Sequence, residues 1–149
     1  MMRMNFKRHI FDELVQWKTS SNAKPLILRG ARQVGKTTLV RSFGESYTHF
    51  IELNLEKSED ASLVERSNSV QELVNFLALK NEISPKDFPH TLLFIDEIQE
   101  SEKAISFLRY FYEDLPELNV IAAGSLLEHT LKKTKNYPVG RINYLYLFP

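Results

Sequence analysis

The segment Pro25 to Val40, PLILRGARQVGKTTLV, constrains this chain more than any other. An apolar run, Leu26-Ile27-Leu28, leads into Gly30-Ala31-Arg32-Gln33-Val34-Gly35-Lys36-Thr37, which fits G-x-x-x-x-G-K-[ST]. Thr38-Leu39-Val40-Arg41-Ser42-Phe43 follows and is compatible with a helix. Strand, glycine loop and helix in that order are what a phosphate-binding loop requires. Gly30 and Gly35 admit positive φ and carry no Cβ, so successive N–H groups can curl around phosphate oxygens. The first helical turn from Lys36 adds unpaired N–H groups and the positive end of a macrodipole. Lys36 is expected to reach the β- and γ-phosphates, and the Thr37 hydroxyl to ligate Mg²⁺. At average residue frequencies a chance match in a chain this long is on the order of 1% or less. Nucleotide binding is therefore favoured over an ordinary glycine turn.

A length of 149 residues predicts one domain with a single layered core. Nineteen basic and nineteen acidic side chains cancel, so no global field steers the chain toward nucleic acid or an anionic membrane. The absence of cysteine excludes disulfides, thiolate zinc sites and a cysteine nucleophile. The start, MMRMNFKRH, is basic but lacks the apolar core of a signal peptide, and no apolar run reaches membrane-spanning length. A cytoplasmic protein without a membrane partner is the expectation.

Phe6, Ile10, Leu14 and Trp17 recur at helical spacing, widened by Phe11 and Val15, and predict an amphipathic helix over 6–18. After the glycine-loop helix, Gly44 is placed as a C-cap. Ile51, Leu53 and Leu55 then alternate with Glu52, Asn54 and Glu56, the pattern of an edge strand. Lys57 to Asn68 is polar and reads as a loop. Ser69-Val70-Gln71-Glu72 is a capping box, opening a helix lined by Leu73, Phe76, Leu77 and Lys80. Thr91-Leu92-Leu93-Phe94-Ile95-Asp96-Glu97 is a continuous apolar strand ending in two carboxylates, as expected of a Walker B strand covered on both faces. Ser101 can cap a helix carrying Ala104, Ile105, Leu108, Phe111, Tyr112 and Leu115. Asn119 to Ala123 is a further strand closed by Gly124-Ser125. Leu126 to Lys135 reads as a short helix with a basic end, and Ile142 to Phe148 as a last strand. Five strands interleaved with helices predict an α/β fold with a parallel or mostly parallel sheet.

Ligands bind beyond the carboxyl ends of such strands, where the glycine loop, Asp96-Glu97 and Gly124-Ser125 converge. Asp96 is expected to share the Mg²⁺ shell with Thr37, and Glu97 to orient and polarise an attacking water. Ser125 can hydrogen-bond the water or the γ-phosphate, or can simply cap a helix. Arg32 and Gln33 read as solvent-exposed or partner-facing. Arg141 is the candidate γ-phosphate contact, in its own subunit or a neighbour's, with an ordinary surface arginine as the alternative. Ser125 is not in a G-x-S-x-G elbow, and His9, His49, His90 and His129 lack ligand spacing. Lys132, Lys133 and Lys135 read as a solvated face rather than a phosphate track.

RGARQVGKTTL, LLFIDEIQE, AAGSLLE and PVGRINYLYLFP together resemble the prokaryotic AAA-type P-loop ATPases in which this domain is usually followed by a C-terminal domain of uncharacterised function. The resemblance spans nearly the whole chain. It implies a three-layer P-loop NTPase fold with strand order 5-1-4-3-2, residues 1–149 as one domain and a nucleotide-binding core over 25–149. It implies ATP rather than GTP, with Gly30, Ala31, Arg32, Gln33, Val34, Gly35, Lys36, Thr37 and Thr38 as the nucleotide loop. Asp96 and Glu97 become metal and water-activating carboxylates, Ser125 a sensor-like residue, and Arg141 the family's GR position. Members typically run on past Leu147-Phe148-Pro149, so a piece of a longer protein is expected, with that further domain or a homo-oligomer as partner.

Two functional readings follow: an ATPase hydrolysing MgATP to ADP and phosphate, or a nucleotide-gated interaction module with negligible turnover. A phosphotransferase ranks below both, since no acceptor pocket is identifiable.

Overall fold

The computed structural model describes residues 2–20, 23–30, 35–124 and 140–146. Helix α1 (Met2–Thr19) precedes strand β1 (Leu26–Arg29) and helix α2 (Lys36–Gly44). Strand β2 (His49–Asn54) leads to α3 (Ser58–Arg66), α4 (Val70–Lys80) and a 3₁₀ turn over Pro85–His90. Strand β3 (Thr91–Asp96), a second 3₁₀ turn (Ile98–Glu100), α5 (Glu102–Asp114), β4 (Asn119–Ala123) and β5 (Asn143–Tyr146) complete the described elements. The sheet order is β2-β3-β4-β1-β5 and every pairing is parallel. Read from the other edge this is the expected 5-1-4-3-2 order.

Alternation along each central strand divides the core into two faces. Leu26 and Leu28 of β1, Leu92 and Phe94 of β3, and Ile121 and Ala123 of β4 pack with α1 and α2. Ile27, Leu93, Ile95, Val120 and Ala122 face the opposite way, against α3, α4 and α5. All six residues of β3 are buried, as its unbroken apolar run requires. Strand β2, with its polar alternate positions, is an edge strand as its pattern indicates.

Helix α1 extends beyond the expected 6–18 to Met2–Thr19 and buries Ile10, Leu14 and Trp17. Val15 does not widen the stripe: it is exposed, while Phe11 packs edge-on against Phe43 at 5.7 Å. The Phe6 side chain lies outside the described part of this helix. Phe43 of α2 is fully buried and also meets Trp17 at 6.5 Å and Tyr47 at 5.6 Å. Trp17 Nε1 donates to the Lys24 carbonyl at 2.7 Å, tying α1 to the chain entering β1. The helix after the glycine loop is thereby held by an aromatic cluster rather than by its own propensity.

Three expectations are corrected. Residues 58–66 form a helix, not a loop: only Leu63 and Val64 are buried, too narrow a stripe to betray helical period, while Glu59 and Asp60 favour its amino end. In α4 the Ser69 hydroxyl accepts from Glu72 N at 3.1 Å, as the capping box requires. The buried line there is Val70, Leu73, Val74, Leu77 and Ala78, with Phe76 and Lys80 exposed. Gly44 is the last residue of α2, not its cap, and a Cβ there would lie 2.8 Å from Phe50 Cδ2 and 3.0 Å from Cγ. The glycine permits a close approach to a ring that stacks on Phe94 at 6.4 Å. The expected Leu126–Lys135 helix lies outside the described residues, and the last strand is described over Asn143–Tyr146.

Gly44→Ala should destabilise the protein despite alanine's higher helix propensity. Overpacking typically costs about 1–3 kcal/mol, against a propensity gain of about 1 kcal/mol. Because Cγ itself is crowded, rotation of the ring cannot relieve the contact. Urea denaturation should show a lower midpoint at unchanged slope; a raised midpoint would contradict this packing.

Candidate nucleotide site at the carboxyl edge

Gly35 opens α2 with φ +81° and ψ 25°, a left-handed conformation that strains any residue bearing a side chain. A Cβ there would meet nothing within 4 Å, so the requirement is conformational rather than steric. The helix then starts at Lys36, and Leu39 N donates to the Gly35 carbonyl at 2.9 Å. Lys36 Nζ donates to the Gly30 carbonyl at 2.5 Å, spanning the loop from its far side. Burial lowers the Lys36 pKa, and the nearby Glu97 and Asp96 carboxylates oppose that shift.

One residue further on, Thr37 Oγ1 donates to Asp96 Oδ2 at 2.7 Å. Asp96 ends β3 and Thr37 begins α2, so the bond joins two segments 59 residues apart. Asp96 Oδ1 accepts from the Glu97 backbone N at 2.9 Å. Burial pushes the Asp96 pKa upward; the Thr37 and Glu97 hydrogen bonds counter it, and the charges of Glu97 and Glu52 reinforce it. Glu52, on the neighbouring strand β2, is clamped by Arg41 of α2 through two 2.8 Å hydrogen bonds and its pKa is held down by that guanidinium. The clamp pairs a carboxylate whose charge bears on Asp96.

Glu97 leaves the strand with φ 55° and ψ 46°. For a residue with a side chain this backbone region costs about 1–3 kcal/mol. The turn is anchored by Ile98, which is fully buried. Gln99 Nε2 donates to Glu97 Oε2 at 2.7 Å. Sequence inspection assigns Gln99 no role; its only signal is its place within Asp96-Glu97-Ile98-Gln99, because a short 3₁₀ turn has no hydrophobic period to show which side chains meet.

The structure therefore brings together Gly30, Gly35, Lys36, Thr37, Asp96 and Glu97. Thr38 is exposed on the first turn of α2. Ala31, Arg32, Gln33, Val34, Ser125, Lys132, Lys133 and Lys135 lie outside the described residues. Strand β4 ends between β1 and β3 at Ala123-Gly124, the edge on which the Ser125 expectation depends. Arg141 is not brought to the loop. Strands β1 and β5 pair from Leu26↔Asn143 to Arg29↔Tyr146, so Arg141 precedes the first pair while the loop follows the last. Its Nε donates to Glu113 Oε1 at 2.6 Å, and Lys24 Nζ reaches the Gly140 carbonyl at 2.9 Å. Arg141 thus sits at the amino edge of the sheet, opposite the loop.

A parallel five-stranded sheet in this order, with a glycine loop between its first strand and a helix, defines the P-loop NTPase fold. The model of a family described as AAA domain matches residues 22–149, and the chain belongs to that family. Among solved structures, the Aeropyrum pernix Orc1 protein, determined in complex with DNA, is similar with a TM-score of 0.62 at 14% identity. The match covers 98% of this chain and 44% of that one, so the chain spans less than half its length. No curated protein matches the sequence. Family and fold make this an AAA-type nucleotide-binding module. No helix among the described residues is long and apolar enough to cross a membrane.

A carboxyl whose folded-state pKa stands above its unfolded value adds stability only as it protonates. Stability rises as pH falls through the interval between the two values and is lost as pH rises through it. Asp96→Asn keeps the size without the charge: its Oδ1 can accept from Glu97 N, and its amide nitrogen can donate to a Thr37 hydroxyl turned to accept. The ligand-free variant should therefore unfold at a higher temperature than wild type at pH 7, with the gap narrowing as pH falls toward Asp96's own range. A lower midpoint for the variant at pH 7 would contradict the burial cost.

Proposed function

We propose that this chain binds MgATP at the carboxyl edge of the sheet and hydrolyses it to ADP and phosphate. The observation carrying this reading is the 2.7 Å contact of Thr37 Oγ1 with Asp96 Oδ2, beside a lysine and a second carboxylate. It puts the hydroxyl and carboxylate of the two nucleotide motifs on a common point.

The donor set suits Mg²⁺. Among the described residues no group of three or more His, Asp or Glu side chains forms a metal cage. One hydroxyl and one carboxylate fit an ion that keeps several waters and takes its remaining ligands from phosphates. When bound, Mg²⁺ would neutralise charge between the phosphates, held by Thr37 and Asp96. Gly30 and Gly35 let the loop backbone turn its N–H groups toward the phosphates, together with Ala31, Arg32, Gln33, Val34 and Thr38. Lys36 exchanges its Gly30 carbonyl for the β- and γ-phosphate oxygens. Glu97 accepts a hydrogen bond from the attacking water, orienting and polarising it toward phosphorus. Ser125 is assigned to the γ-phosphate or that water. Arg141, tied to Glu113 at the opposite edge, is left to a neighbouring subunit's site. The adenine preference rests on family membership, and the cytoplasm is the compartment that fits an ATP-consuming module.

Glu97→Gln separates turnover from binding. Loss of the base should lower kcat by on the order of 10²–10⁴-fold while MgATP affinity, measured by fluorescent-analogue displacement, stays within about threefold of wild type. Wild-type turnover no faster than the variant's would instead favour the interaction module that binds ATP without hydrolysing it.

A further inference from the structure

The Glu97 carboxylate has two oxygens, each able to accept hydrogen bonds. Its Oε2 accepts from the Gln99 amide nitrogen at 2.7 Å, and Oε1 is the oxygen that this contact does not engage. The amide's orientation follows from chemistry, because an ionised carboxylate only accepts and the NH₂ end must face it. Gln99 Oε1 is then buried with no hydrogen-bond partner among the described residues, an arrangement that a side chain selected for stability alone would avoid. An apolar residue of the same size would remove that orphaned acceptor.

The connection between the two side chains is short and rigid. Glu97 is held left-handed at the entry to the Ile98–Glu100 turn, and fully buried Ile98 fixes that turn to the core. Gln99 therefore approaches Glu97 from a turn whose neighbouring residue is packed in the core. Half-buried Glu97 reaches its place by a strained turn, and the amide contact holds the end of its side chain. We propose that Gln99 is a positioning residue: it fixes the Glu97 carboxylate so that its second oxygen meets the attacking water. The inference rests on the hydrolytic reading above, since without turnover there is no water to orient.

The test is a double-mutant cycle of Gln99→Leu with Glu97→Gln, reading kcat, MgATP affinity and thermal midpoint. Gln99→Leu should lower kcat by about 10- to 100-fold, the scale of a misplaced catalytic group, with affinity unchanged and the midpoint equal to or above wild type. In the Glu97→Gln background it should change kcat by less than about twofold, because a positioning residue has nothing left to position. Equal losses in both backgrounds, or wild-type kcat in Gln99→Leu, would overturn the proposal. Gln99→Met serves as a second apolar variant; unfolding of both would make Gln99 structural and likewise overturn it. Wild-type turnover no faster than Glu97→Gln would instead remove the hydrolytic reading itself, a separate failure visible before Gln99 is altered.

Discussion

The Thr37 hydroxyl and the Asp96 carboxylate meet at 2.7 Å because two parallel strands deliver them to the same edge of one sheet. Neither side chain could find the other locally. Their contact depends on β4 lying between β1 and β3, on the left-handed Gly35 that starts α2 where it does, and on the burial of all six residues of β3. It also concentrates charge: Asp96 and Glu97 act on Lys36, while Glu52, whose charge also reaches Asp96, is paired with Arg41. Burial raises the Asp96 pKa and lowers that of Lys36, the cost of enclosing charged groups. Functional sites are commonly paid for in this way, by stability that the rest of the fold supplies.

That support comes from both faces of the sheet. On one side Phe43 is enclosed by Phe11, Trp17 and Tyr47, which locks α1 onto the helix carrying Lys36 and Thr37. On the other, Leu93, Ile95 and Ile98 anchor the end of β3 and the turn bearing Glu97. The strained Glu97 backbone persists because Ile98 is fully buried immediately after it.

The sheet was readable from sequence because parallel strands buried on both faces leave unbroken apolar runs such as Leu92 to Ile95, and because each is punctuated by glycine or a carboxylate. The strand order followed from a family resemblance, not from periodicity. The glycine loop, Asp96 and Glu97 stood out in the sequence because phosphate and metal chemistry would select those residue types at strand ends. Helix α3 was not, because two buried residues among nine make no stripe. Gly44 was misread for a related reason: proximity to Phe50, six residues on and in another element, leaves no local mark. Arg141 could not be placed without knowing that β5 runs parallel beside β1, which puts its approach at the far edge. The contact of Gln99 with Glu97 depends on the geometry of a single turn, beyond any pattern of types.

A thermal-unfolding titration with MgATP on wild type and Lys36→Ala tests directly whether the glycine loop and Lys36 hold a nucleoside triphosphate. A ligand at a hundred times its dissociation constant adds about 2.7 kcal/mol of stability. The wild-type midpoint should therefore climb with MgATP while that of the variant stays where it begins. A folded wild type whose midpoint does not move, or a variant that shifts as far as wild type, would contradict a phosphate site built on this loop.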